Sequence, residues 1–241
     1  DRRLTRQPFT GELTAGKIRT AINDAVMSVR SCQQPDGSIA GNEGQTVLAA
    51  LAMLAAGGDP ASDSQLSKAL DWLAGRETGN TYVRAIRANV WEYALRKAPD
   101  DKKLRDLLEK DYKWLIGAMN AEGWRYSNSS KDWDNSCTQY GVLGVWAAAR
   151  AGFEPGDQFW RTCSAHFRKF QNADGGWGYT AGSGSTPNMA TAGLASLFLV
   201  FDMYHGRSYY SAANPRTFTE GDSAAVLAAI DRGMTWLGRT G

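Results

Sequence analysis

Phe170-Gln171-Asn172-Ala173-Asp174-Gly175-Gly176-Trp177-Gly178-Tyr179 decides the fold. Asn172 and Asp174 tolerate turn conformations, and Gly175 and Gly176 allow the positive φ that stops a helix. Trp177 and Tyr179 place two large apolar surfaces just past the turn. The stretch predicts a helix closing at Gln171, a turn, and an aromatic that pins the turn. Weaker copies lie upstream: Gln33-Gln34-Pro35-Asp36-Gly37-Ser38, Asn120-Ala121-Glu122-Gly123-Trp124-Arg125-Tyr126, and a degraded Gly75-Arg76-Glu77-Thr78-Gly79-Asn80. With Gln33, Gly75, Asn120 and Asn172 as markers, the spacings are 42, 45 and 52 residues. That period suits one helix pair per repeat.

The flanks of the turns repeat as well. Before them come Ala69-Leu70-Asp71-Trp72-Leu73, Tyr112-Lys113-Trp114-Leu115 and Met234-Thr235-Trp236-Leu237. These belong to helices with one apolar stripe, as in Ile18, Ile22, Val26 and Val29, which predicts an outer layer. After the turns come Ala/Gly-rich segments apolar almost all round, which predicts inner helices at 45–56, 81–97, 136–151 and 188–204. Thr14 is placed to cap the first helix, Ser62 or Ser64 opens the second outer helix, and Gly221 or Asp222 opens the last. No period-2 pattern survives, so the chain reads as all-α. Residues 1–13 read as a flexible polar lead-in, 205–220 as an irregular stretch, and 14–241 as a single domain of about four and a half repeats.

Composition narrows the function. At 241 residues the chain can bury one sizeable core or two small ones. Apolar content of 43%, charged content of 22% and a net charge of +2 describe an ordinary folded protein and give no footprint for nucleic acid. Apolar runs such as 47–56 and 195–201 are too short to span a bilayer. Cys32, Cys137 and Cys163 form no CxxC pair, and all three fall in predicted helices, where buried thiols are common. The chain begins at Asp1 with no signal peptide legible, which leaves cytoplasmic and exported locations both open. Gly175-Gly176 and Gly182-Ser183-Gly184 lack the flanking strand and Lys of a phosphate loop, and no cofactor is implied.

Gln171-Asn172-Ala173-Asp174-Gly175-Gly176-Trp177 resembles the Gln-Trp repeat of squalene and oxidosqualene cyclases. The rhythm of outer and inner helices is similar to that of the terpenoid cyclase and protein prenyltransferase superfamily. The likeness runs from about Thr14 to Gly241. It implies an α/α toroid of helical-hairpin repeats, here partial and part of a longer chain. Asp134-Asn135-Ser136-Cys137-Thr138-Gln139-Tyr140 and the 182–197 segment resemble most the bacterial proteins that carry prenyltransferase/squalene oxidase repeats ahead of another domain.

Fold does not carry function, so each branch is read on its residues. Class II cyclases protonate an alkene with the central acid of an Asp-x-Asp-Asp motif. The resemblance puts Asp132-Trp133-Asp134-Asn135-Ser136 at that place, with Asp134 as proton donor, Asp132 beside it and Asn135 where the last Asp would be. A neutral, desolvated carboxylic acid is required, with aromatic faces around it. Tyr82, Trp91, Trp124, Trp133 and Tyr140, with Asn135 and Gln139, are the candidate ligand-binding residues. The competing reading makes Asp134 or Asn135 a helix cap. The prenyltransferase zinc site has only a displaced match in Asp134 and Cys137, and His166 lies on an outer helix as an exposed or half-buried residue, so no metal is expected. A carboxylate pair of the glycosidase kind would have to recruit Asp132 with Asp134, or Glu92. The expected function is a repeat domain that binds an apolar or isoprenoid-like small molecule, or a protein partner, at its concave end, with a cyclase-like enzyme as the alternative.

Overall fold

The computed structural model describes residues 11–206 and 221–239. Among them are nine α-helices and one π-helical turn, and no strand. The helices are α1 (Ala15–Ser31), α2 (Glu43–Ala55), α3 (Ser64–Ala74), α4 (Thr81–Leu95), α5 (Lys102–Ala118), α6 (Asn135–Arg150), α7 (Asp157–Lys169), α8 (Pro187–Val200) and α9 (Gly221–Arg239), with the π-turn Phe201–Gly206 continuing α8. Most of the irregular stretch expected at 205–220, and most of the lead-in, lie outside the described residues.

The helix starts follow from capping chemistry. Thr14, Asn42, Asp63, Asn80, Asp101, Asp134 and Thr186 each accept the backbone N–H three residues on. Ser64 opens α3, as expected, and Asp63 before it supplies the cap. A carboxylate has oxygens enough to serve the cap and also to receive Arg30 Nη1 at 2.8 Å.

Helices α2, α4, α6 and α8 pack one against the next, and the odd-numbered helices lie on them: α3 on α2, α5 on α4 and α6, α7 and α9 on α8. The even-numbered helices thus form one row, with odd-numbered helices against it. The first helix departs from expectation. Ile18 and Ile22 stay exposed, and only Val26 and Val29 are half-buried. The reason is that α1 has a substantial contact with α2 alone and nothing covers the rest of its stripe.

The turns after α1 and α7 are built alike. Gln33 Nε2 donates to Gly37 O at 2.9 Å and to Gln65 O of α3 at 2.8 Å. Gln171 Nε2 donates to Gly175 O at 2.8 Å and to Ala229 O of α9 at 2.9 Å. Asp36 accepts the Ser38 N–H and the Trp72 indole N–H, and Asp174 accepts the Gly176 N–H and the Trp236 indole N–H. Gly37 and Gly175 sit at φ 96° and 97°. A Cβ on either would strike the backbone of the facing outer helix, at 2.4 Å from Lys68 O or 2.7 Å from Arg232 O. Each of these two turns is thus clamped to the next outer helix.

The aromatic staples sit inside. Trp124 and Trp177 are fully buried, with indole N–H groups donated to Leu115 O at 2.9 Å and Phe167 O at 2.8 Å. Each ring lies on a helix glycine, Gly141 of α6 or Gly193 of α8, where a Cβ would come within 2.3 or 2.5 Å. Tyr179 does not act as a second staple: it stays half-exposed, and its carbonyl receives the Asn135 N–H.

One buried carboxylate joins α4 to α5. Asp111 is fully buried and accepts from Arg84 Nη1 at 2.6 Å, Arg87 Nη2 at 2.7 Å, Arg87 Nε at 2.8 Å and Trp91 Nε1 at 2.9 Å. Arg84, Arg87 and Trp91 stand at i, i+3 and i+7, so one face of α4 supplies all four donors.

Candidate functional site

The candidate site is the N-terminal end of α6. Asp134 has an extended backbone, φ −142° and ψ 160°, and its Oδ1 accepts the Cys137 N–H at 2.6 Å. Its Oδ2 pairs with Arg125 Nη1, and Arg125 Nε lies 3.3 Å from Asp132 Oδ2. Asp134 is buried while Asp132 is exposed. The buried carboxylate is therefore used as a helix cap and as the partner of a guanidinium, the cap alternative of the two sequence readings.

Asn135 is a structural knot. Its backbone N–H goes to Tyr179 O at 2.8 Å, its Nδ2 donates to Gly178 O at 2.8 Å, and its Oδ1 receives His166 Nε2 at 2.9 Å. The amide orientation assigns the proton to His166 Nε2. Asn135 ties α6 at once to α7 and to the 170–179 turn, so the residue that departs from the cyclase motif is the one that joins two repeats. His166 is buried rather than exposed or half-buried, because it occupies the inward face of α7 between Trp133, Phe167 and Phe170. Burial lowers its pKa to about 4; Glu122 opposes the shift and Lys169 adds to it.

Of the candidate ligand-binding residues, the structure brings Tyr82, Gln139 and Tyr140 to a partly open surface. The Tyr82 and Tyr140 rings lie 4.5 Å apart, Tyr126 is 5.8 Å from Tyr82, and the Tyr82 hydroxyl donates to Ser136 Oγ at 2.7 Å. Burial raises the pKa of the Tyr82 phenol, and it holds the neighbouring Cys137 thiol up at about 12, so that thiol is a buried, inert group. Cys163 is likewise buried, whereas Cys32 is exposed at the end of α1, against expectation. Trp133 packs on Phe170 at 4.1 Å. Trp91 and Trp124 are corrections: both are core residues with their indole N–H groups spent inside, on Asp111 and Leu115, and only the backbone carbonyl of Trp124 reaches Asp134, accepting its N–H at 3.1 Å.

The open surface extends along the layer. On α6 the half-buried positions are Ser136, Gln139, Tyr140, Leu143, Trp146 and Arg150, one stripe of the helix. On α4 the matching stripe carries Tyr82 and Tyr93. The two stripes touch along their length: Tyr82 meets Ser136 and Tyr140, Asn89 Nδ2 donates to Leu143 O at 3.4 Å, and Arg150 lies over the Trp146 ring at 3.7 Å and the Tyr93 ring at 6.0 Å. Reading single residues for chemistry missed this stripe and missed Arg125. The stripe's signal was present as Tyr140, Leu143 and Trp146 at helical spacing.

Among the described residues no group of three metal-ligating side chains converges, and no helix is long and apolar enough to cross a membrane. No family model, curated protein or solved structure matches the chain.

Proposed function

We propose that the chain is a binding scaffold, a partial α/α toroid of the terpenoid cyclase and prenyltransferase kind, whose open α4–α6 stripe receives an apolar, isoprenoid-like molecule. One observation carries the reading. Tyr82, Tyr93, Tyr140, Leu143 and Trp146 stay half-buried along two adjacent helices, whereas the remaining apolar side chains of α4 are buried. Covering such a surface gains about 25 cal/mol for each Å² of apolar area removed from water, and a stripe two helices wide suits an elongated hydrocarbon. Tyr and Trp add firm contact area at small cost in side-chain entropy.

The test is a titration of tryptophan fluorescence with geranylgeraniol. A saturable change that Leu143→Glu abolishes is expected, since a carboxylate on the stripe cannot be desolvated there without loss. A titration without saturation up to the solubility limit refutes the small-molecule reading and turns the same surface toward a protein partner. The cyclase-like alternative draws less support, because Asp134 is engaged by the Cys137 N–H and by Arg125. Turnover of a polyprenyl substrate, lost in Asp134→Asn with the fold intact, would restore it.

A further inference from the structure

We propose an oxyanion-binding site at the C-terminal ends of α4 and α6, formed by Arg96, Arg105 and Arg150, that takes a carboxylate or phosphate borne on an apolar group. These three arginines line a cavity of about 230 Å³ together with Glu92, Leu95 and Pro99. The inference does not depend on the isoprenoid reading of the stripe.

Charge makes the first argument. Three guanidinium groups face one carboxylate. The C-terminal ends of α4 and α6 each add about half a negative charge. About one positive charge is left without compensation inside a partly enclosed space, where it is screened less than on an open surface.

Hydrogen bonding makes the second. Glu92 is shared: Arg96 Nε reaches Oε1 at 2.8 Å and Arg96 Nη2 reaches Oε2 at 3.0 Å, while Arg150 Nη2 reaches Oε2 at 2.7 Å. Arg150 Nε is buried with no acceptor, and of its five donors only Nη2 is served. Arg105 pairs with no carboxylate among the described residues; its guanidinium rests 5.0 Å from the Phe153 ring. Burial pushes the Arg150 pKa down, Glu92 opposes this, and the adjacent Arg96 pushes it down further. A bound anion would relieve that crowding of like charges.

The walls make the third. Arg150 is stacked on Trp146, and Arg96 lies 4.1 Å from the Tyr93 ring. Stacking fixes the planes of both guanidiniums, which favours bidentate recognition of a planar or tetrahedral oxyanion. Leu95, Pro99 and Ala151 give the cavity an apolar lining next to the charge, so an organic anion is favoured over an inorganic one.

The test is calorimetric titration of the full chain with benzoate, phenyl phosphate and inorganic phosphate at constant ionic strength. Saturable binding of benzoate or phenyl phosphate, stronger than that of inorganic phosphate, is expected. A preference for benzoate assigns the site to carboxylates, and a preference for phenyl phosphate assigns it to phosphate esters. Arg105→Glu, an exposed change that leaves the packing intact, is expected to weaken binding by at least about tenfold. Glu92→Gln, which removes the competing internal carboxylate, is expected to tighten it. Absence of saturable binding by all three anions overturns the proposal, as does binding that Arg105→Glu leaves unaltered.

Discussion

Replacing Trp177 by alanine tests the staple on which the repeat reading rests. The side chain is fully buried, its indole N–H is donated to Phe167 O at 2.8 Å, and its ring fills the space over Gly193 and Gly233. Removing a buried Trp in this way costs about 3–5 kcal/mol, because the cavity cannot collapse onto glycines that have no side chain to move in. The freed Phe167 carbonyl adds about 1 kcal/mol. The expected total of about 4–6 kcal/mol is comparable to the whole stability of many domains, so Trp177→Ala is expected to unfold at markedly lower urea or to be partly unfolded in water. The assay is urea denaturation followed by far-UV circular dichroism. Gly193→Ala supplies an internal control: its added methyl would lie 2.5 Å from the indole, and overpacking of that kind costs about 1–3 kcal/mol. In the double variant the methyl enters a vacated space, so the two costs should fall short of additivity. A Trp177→Ala change below about 1 kcal/mol, or strict additivity of the pair, refutes the stacked staple.

Three further outcomes follow from the buried polar groups. Asp111→Asn leaves Arg87 buried without a counter-charge and Arg84 with only the exposed Glu77, and is expected to cost about 3–5 kcal/mol by denaturation; a loss under about 1 kcal/mol would contradict the four-donor geometry. His166 has a folded pKa of about 4 against an ordinary 6.5, so between those values the unfolded chain binds a proton that the folded chain refuses. Stability should therefore fall as pH drops from about 6.5 to 4, by up to roughly 3 kcal/mol, and the fall should be smaller in His166→Gln when the two unfolding curves are compared across pH. Asp134→Ala removes both the α6 cap and the partner of Arg125 and is expected to lose about 1–2 kcal/mol, with Asp134→Asn losing less because the amide oxygen still caps; equal losses in thermal melts would show that the cap contributes nothing.

The layers were legible because the signal is periodic. Inner helices apolar all round and outer helices with one stripe appear in the letters, and the structure places α2, α4, α6 and α8 in one layer. Helix starts were legible, as at Thr14 and Ser64, whereas the capping side chain was not singled out where neighbours compete, as with Asp63 between Ser62 and Ser64. Partners distant in sequence were not legible. Nothing in the local letters says that Asp36 meets Trp72, that Asp134 meets Arg125, or that Trp91 belongs to Asp111. Among the candidate site residues Tyr82 and Tyr140 are half-buried, whereas Trp91 and Trp124 are core, because a Trp of this fold is recognisable as staple or platform only once its indole N–H has an acceptor.

The forward clamps have a consequence for how such a chain can be rebuilt. Gln33 and Asp36 follow α1 but bind α3, closing a loop around α2. The segment that can be moved without severing a clamp therefore starts at a turn and ends after the next outer helix, out of phase with the helical hairpin that the eye picks out. A chimera or circular permutant cut just before Gln33 keeps every bond of that loop. One cut between α2 and α3 separates Asp36 from Trp72 and leaves two ends, each lacking what the other holds. Recombination among repeats of this architecture should accordingly succeed at the first kind of boundary and fail at the second.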